Sequence, residues 1–375
     1  MRAPKKSADP LPDPCQIDGA PHPRETTTLF GHDAAQAQFL DAFTTGRLHH
    51  GWMLVGPRGI GKATLAWRIA KFLLSQPDDD GGMFAPPPPT DLSSDPDHPA
   101  VRRILAGSEA GVFELKRGAN TTGTGLSRDI RVDEVRKLKS FLHLSATEGG
   151  RRVVIIDCAD EMNPQAANAL LKLLEEPPER VTFLLIAHQP AALLPTIRSR
   201  CRELRLTTVQ PEDMALALQA ADALDPDADT MALAALSSGS VGEAIRLTQM
   251  DGLAAYSALI DLMSTLPRLD RPRAIALTDG LAGKKNEPRF DLLLDLLDLF
   301  LARTARAGLS GPPQPEAAKN ESQLLARLSP DGHWAMVWAR LHQESGARAR
   351  HGRAVNLDPA ALVLDMILRI TSAVA

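Results

Sequence analysis

Nine consecutive residues, Gly56-Pro57-Arg58-Gly59-Ile60-Gly61-Lys62-Ala63-Thr64, are of the types that bind phosphate. Glycines at 56, 59 and 61 let the backbone turn tightly enough for N–H groups to converge on phosphate oxygens, and Lys62 is placed to reach the β and γ phosphates of a nucleotide. The apolar run Trp52-Met53-Leu54-Val55 ahead of the loop predicts a strand. The spacing from Leu65 to Leu74 behind it predicts a helix, whose N-terminus adds partial positive charge. One part of the pattern departs: the hydroxyl that would hold Mg²⁺ directly after the lysine is missing, because Ala63 stands there and Thr64 lies about 100° further round an ideal helix. ATP or ADP is the expected cofactor, with magnesium placement weakened. A glycine-rich turn with no ligand is the competing reading.

The elements that must position this loop alternate between strand and helix. An amphipathic helix, Ala34 to Phe43, precedes the first strand. Val112 to Leu115 predicts a second strand, and Ile130-Arg131-Val132-Asp133-Glu134-Val135-Arg136 opens a helix running to about Leu144, its acids in the first turn. Arg152-Val153-Val154-Ile155-Ile156-Asp157 is a continuous β-branched run ending in an acid, as expected of a buried parallel strand with a carboxylate at its C-terminal edge. A helix from Pro164 to Glu176, a strand from Thr182 to Ala187, a short helix from Pro195 to Arg200 and a strand from Glu203 to Leu206 complete the series. The fold class is therefore α/β over residues 23–206, in three layers with a parallel sheet. Residues 1–22 read as a flexible tail, and about 76–110, which holds Asp78-Asp79-Asp80-Gly81-Gly82 and Pro86 to Pro89, as a surface insertion. Gly118 to Gly125 reads as a second mobile patch. Past Thr207 the strands stop: three short helices over 207–255 predict a small helical domain, and longer helices over 256–375 an all-α bundle.

Composition narrows the class. The chain has 375 residues, 44% hydrophobic, 23% charged and only 4% aromatic, with a net charge of −4. That balance excludes a global attraction to nucleic acid or an anionic membrane, so such contacts must be local. The basic positions Arg102, Arg103, Arg128, Arg131 and Lys137 are scattered and read as solvated surface. Leu292 to Leu301 is interrupted by Asp295 and Asp298 and is not a membrane span. The N-terminus lacks the apolar core of a signal peptide, so the cytoplasm is expected. Cys15, Cys158 and Cys201 are too scattered for a disulfide framework or a zinc module. No metal site is expected beyond Asp157 as a candidate to organise Mg²⁺.

Several stretches in this order resemble one family: the phosphate loop, Ile130 to Arg136, strand-end Asp157, Asn168-Ala169-Leu170-Leu171-Lys172-Leu173-Leu174-Glu175-Glu176-Pro177-Pro178, and Thr196-Ile197-Arg198-Ser199-Arg200-Cys201. Together they are similar to the AAA+ clamp-loader subunits of bacterial DNA polymerase III. Pro23-Arg24-Glu25, Leu29-Phe30-Gly31-His32 and Asn356-Leu357-Asp358 are similar to the delta-prime branch of that family. The resemblance implies an ATPase-like domain, a three-helix lid and a C-terminal collar domain. It implies partners of the delta and gamma/tau types, and action through the complex on a sliding clamp and primed DNA. It further implies that Arg200 acts in trans as a finger on a neighbour's nucleotide, where a fixed guanidinium stabilises the charge of phosphoryl transfer.

Against the family's active members, the hydrolysis parts are altered. Cys158 stands where a glutamate would orient the attacking water, and a thiol of ordinary pKa near ~8.5 is a poor base at neutral pH. His188-Gln189 replaces the hydroxyl or amide residue expected after the strand Thr182–Ala187, and Gly242 replaces the arginine of the sensor turn Gly239-Ser240-Val241-Gly242-Glu243-Ala244. The resulting expectation is a subunit that binds nucleotide with little or no turnover. No zinc is expected in the insertion, since Gln76 to Ala110 holds no cysteine. Two alternatives stay open: an autonomous ATPase using Asp160 or Glu161 as the acid, and a structural adaptor with an empty loop.

Overall fold

The computed structural model describes residues 13–14, 16–77, 87–123, 125–144, 150–224 and 228–374. The chain divides into two compact units, Met1–Asp222 with Ser240–Gly242, and Ala223–Gly239 with Glu243–Ala375. The helices expected as a lid, residues 207–255, fall on both sides of this division.

In the first unit the elements run α1 (Asp33–Thr44), β1 (Gly51–Val55), α2 (Lys62–Ser75), α3 (Pro99–Leu105), β2 (Val112–Leu115), α4 (Val132–Leu144), β3 (Arg152–Ile156), α5 (Pro164–Glu175), β4 (Val181–Ala187), α6 (Pro195–Arg198), β5 (Arg202–Arg205) and α7 (Pro211–Ala220). All five strands are parallel, in the order β2-β3-β4-β1-β5. Strands β1, β3 and β4 are buried along their whole length, which is why they read as unbroken apolar runs. Successive side chains go to opposite faces. Trp52, Leu54, Val153, Ile155, Leu184 and Ile186 pack under α1 and α2, while Met53, Val55, Val154, Ile156, Phe183 and Leu185 pack under α4 and α5. The edge strand β5 is different: Arg202, Glu203 and Arg205 are exposed and only Leu204 is buried. The Glu203 carbonyl accepts a 3.3 Å bond from Gln38 of α1.

Three segments are more ordered than their composition implies. Part of the expected insertion is core: Leu92, ahead of α3, and Ile104 on α3 are buried against the α2 face. Pro99 starts α3 rather than preventing it, because the first helical position needs no N–H, and the His98 ring accepts the Ala100 N–H at 3.2 Å. Residues 78–86 of that expectation lie outside the described residues. So do residues 1–12 and Cys15 of the expected tail, but Asp13 meets the Lys116 ammonium at 2.5 Å and His22 is buried, so both of these residues are attached to the unit. The stretch Gly118 to Gly125 forms a turn, closed by the Asn120 N–H on the Gly125 carbonyl at 2.7 Å; Thr124 lies outside the described residues.

The second unit is helical: α8 (Thr230–Leu236), α9 (Val241–Gln249) from Glu243 onward, α10 (Gly252–Ser264), α11 (Arg271–Thr278), α12 (Glu287–Ser310), α13 (Glu321–Leu328), α14 (Gly332–Ala354) and α15 (Pro359–Val374). Leu292, Leu293, Leu296, Leu297 and Phe300 of α12 are all buried, as is Trp338 of α14, whose indole N–H donates to the Leu328 carbonyl at 2.8 Å. A charged group lies within this core. Glu321 is fully buried and accepts from Arg303 at 2.7 and 3.0 Å, from the Tyr256 hydroxyl at 2.6 Å and from the Ala317 N–H at 2.7 Å. Among the described residues no helix is long and apolar enough to cross a membrane.

Candidate functional site

The phosphate loop joins β1 to α2 in the predicted strand–loop–helix order. Gly56 has φ 148°, and a Cβ there would lie 2.5 Å from the Leu206 carbonyl oxygen; at Gly61, φ 105°, it would lie 2.8 Å from Leu29. Only glycine fits either position, so the loop's course is fixed by residues with no side chain. Pro57 and Arg58 are exposed and Ile60 is buried, its carbonyl bonded by His32 Nε2 at 2.6 Å. Lys62 is buried at the start of α2. Its ammonium donates to the Gly56 carbonyl at 2.6 Å and to the Pro57 carbonyl. Burial brings its pKa down to about 8, with Arg58 adding a smaller push and Asp160 and Asp157 opposing. Ala63 and Thr64 are half-buried on the first turn of α2. The loop keeps the tight-turn glycines and the buried lysine that the sequence pattern asks for, whereas the first turn offers no hydroxyl at the position after the lysine.

Strand register brings the remaining parts to the same edge. Val55 is level with Ala187, and Ile156 with Leu185, so the residues just past β1, β3 and β4 meet there. Asp157 is 5% exposed, and its N–H extends the ladder to the Leu115 carbonyl at 2.9 Å. Cys158 follows in a left-handed conformation, φ 57°, and is buried. Its sulfur lies 3.2 Å from His188 Nε2 and 3.8 Å from an Asp157 oxygen. Burial, then the charges of Asp157 and Glu161, push the thiol well above its ordinary range. His188 is driven the other way, down to about 4, by burial and then by the Lys62 charge. At neutral pH the pair is a thiol beside a neutral imidazole, and neither is a carboxylate that orients water.

The two nearby acids are occupied. Asp160 accepts the His188 N–H at 3.1 Å and the Gln189 N–H at 3.0 Å, one on each oxygen. Glu161 pairs with Arg117 at 2.9 Å. This capping by Asp160 left no signal in the sequence, because positions 160 and 188 meet only through the β3–β4 pairing.

The backbone at Gly242 meets the loop directly. The Gly242 N–H donates to the Gly59 carbonyl at 2.8 Å. A Cβ on Gly242 would lie 2.7 Å from Ile17 and 3.1 Å from the Gly59 Cα, so an arginine has no room there. Arg246, one turn on, is held by Glu243 at 2.7 Å and Asp295 at 2.6 Å.

Arg200 stands apart from this edge, on the turn between α6 and β5. Its guanidinium pairs with Glu175 at 2.9 Å and donates to the Thr196 carbonyl at 3.0 Å. Elsewhere in the first unit, Asp13, His22 and Glu114 come within 4.8 Å of one another. The Lys116 ammonium contacts both carboxylates, at 2.5 and 2.6 Å, and His22 Nδ1 accepts the Arg24 N–H at 3.1 Å, which leaves the ring proton on Nε2. That cluster is an ion-pair network already holding its cation.

A parallel sheet ordered β2-β3-β4-β1-β5, a glycine–lysine phosphate loop, a strand-end aspartate and a C-terminal helical part define a protein of the AAA+ class. Residues 31–210 match the family model described as DNA polymerase III, delta subunit. The chain is 31% identical to the DNA polymerase III subunit delta′ of Escherichia coli over 88% of its own length and 91% of that protein's. With the subunit delta′ of Yersinia pestis it shares 33% identity over 71% of this chain and 75% of that one. With that of Pseudomonas aeruginosa it shares 41% identity, over 40% of this chain and 41% of the relative. The chain belongs to the family of DNA polymerase III delta′ subunits.

Proposed function

We propose that this chain is a clamp-loader subunit that helps place a sliding clamp on primed DNA in the cytoplasm, as the stationary, non-hydrolysing member beside subunits of the delta and gamma/tau types. It binds ATP or ADP through Gly56 to Thr64, with Asp157 the candidate to organise Mg²⁺, and turns nucleotide over slowly or not at all. It supplies Arg200 in trans to a neighbour's nucleotide, while residues 207–255 serve as the lid and 256–375 as the collar. The observation that carries this reading is the combination of an intact cradle with Cys158 in the place of the water-orienting acid. A thiol held protonated by burial and by Asp157 cannot take up a proton from water.

The autonomous-ATPase alternative needs Asp160 or Glu161 as the base. Asp160 already accepts two backbone N–H groups and Glu161 is paired with Arg117, which weighs against both. The test is clamp-stimulated ATP turnover of a loader reconstituted with Arg200→Ala or Lys62→Ala in this subunit. Arg200→Ala is expected to remove up to ~10³-fold at the site it serves, and Lys62→Ala to change little. The reverse pattern would sink the reading.

A further inference from the structure

The surroundings of Arg200 are built as a support. Arginine is a long side chain, and at 36% side-chain exposure it would ordinarily sample many rotamers. Here one guanidinium nitrogen meets the Glu175 carboxylate at 2.9 Å and the other donates to the Thr196 carbonyl at 3.0 Å. Both anchors come from fixed elements. Thr196 lies on α6, which Ile197 pins in the core, and Glu175 is the last residue of α5, directly after the buried Leu174. A second observation ties the two together. Gly51 of β1 touches both: a Cβ there would stand 3.0 Å from the Arg200 carbonyl, 3.3 Å from Cys201 Sγ and 3.6 Å from Leu174. The end of α5 and the Arg200 turn are thus seated against one glycine of the central sheet.

We infer that Glu175 is a positioning residue for Arg200, fixing the guanidinium's orientation so that it is presented, already ordered, to the polyphosphate of a neighbouring subunit. This rests on the reading of Arg200 as a trans-acting group. A guanidinium has five N–H donors, and the Glu175 and Thr196 contacts with a longer one to the Ser199 hydroxyl at 3.5 Å engage three. The rest stay available for a bidentate grip on phosphate while the anchors hold. The pair is solvent-exposed, so its contribution to folding is small, and its value lies in orientation.

The test uses the full chain reconstituted with its partner subunits and clamp, with kcat and KM for ATP measured separately. Glu175→Ala is expected to lower kcat about tenfold with KM and assembly unchanged. Glu175→Gln, which keeps an acceptor at the same reach, recovers part of that loss. In an Arg200→Ala background Glu175→Ala costs nothing further, since the group it positions is gone. If Arg200→Ala collapses kcat while Glu175→Ala leaves it at or above the wild-type value, the positioning role is wrong and the finger stands. If Glu175→Ala lowers kcat even without Arg200, Glu175 acts elsewhere and the inference fails. If Arg200→Ala is harmless, the finger reading falls and this inference with it.

Discussion

At the scale of single residues, Lys62 carries the most testable chemistry. Its ammonium is buried against two loop carbonyls, and burial brings its pKa down to about 8, into the range where the proton can be lost under mildly alkaline conditions. The sign follows from linkage. The unfolded chain holds this proton up to about 10.4, so between pH 8 and that value the group's contribution to stability rises with pH. An arriving phosphate favours the charged form and raises the pKa. Binding of ADP at pH 8 is therefore expected to take up a fraction of a proton, an uptake that vanishes below about pH 7 and in Lys62→Gln. Calorimetry in buffers of different ionisation heat measures it directly; proton release, or none, would contradict the assignment. That a cysteine rather than an acid follows Asp157 was readable from the sequence at that one position. The cysteine's imidazole partner was not, because positions 158 and 188 are brought to 3.2 Å only by the parallel register of β3 and β4.

At the scale of elements, strands β1, β3 and β4 were legible because burial on both faces forces unbroken apolar runs. Helix α3 was not: it has few residues, begins with a proline and sits beside a run of prolines, so local composition outweighed the apolar spacing of Ala100, Val101 and Ile104. The sensor turn gives the sharpest prediction. By sequence alone Gly242→Arg restores a missing part of an ATPase. By structure it drives a side chain into Ile17 and the Gly59 backbone and breaks the Gly242–Gly59 hydrogen bond that seats the turn on the loop. The substitution is expected to weaken ADP binding and to lower the melting temperature, without creating turnover. Thermal melts with and without ADP check it, and a gain in ATP hydrolysis would show that the turn yields more readily than this packing allows.

For the whole molecule, two separate cores carry different information. The α/β unit holds nearly all the chemistry-bearing positions. The helical unit announced itself only through apolar spacing, and its buried Glu321–Arg303–Tyr256 network was invisible because its members lie far apart in sequence. Removing Glu321 leaves the Arg303 charge without its carboxylate and the neutral Tyr256 hydroxyl without its acceptor in the interior. Glu321→Ala is expected to cost about 3–5 kcal/mol, read as faster hydrogen exchange in α12 and α13, with the amides of β1 and β3 as the unaffected reference. The sheet's β5 edge has a consequence of another kind. An open strand offers unpaired backbone groups to any extended chain. This one is four residues long and presents Arg202, Glu203 and Arg205 to solvent, with one carbonyl already taken by Gln38. The short, charged edge is thereby guarded against aggregation through strand pairing.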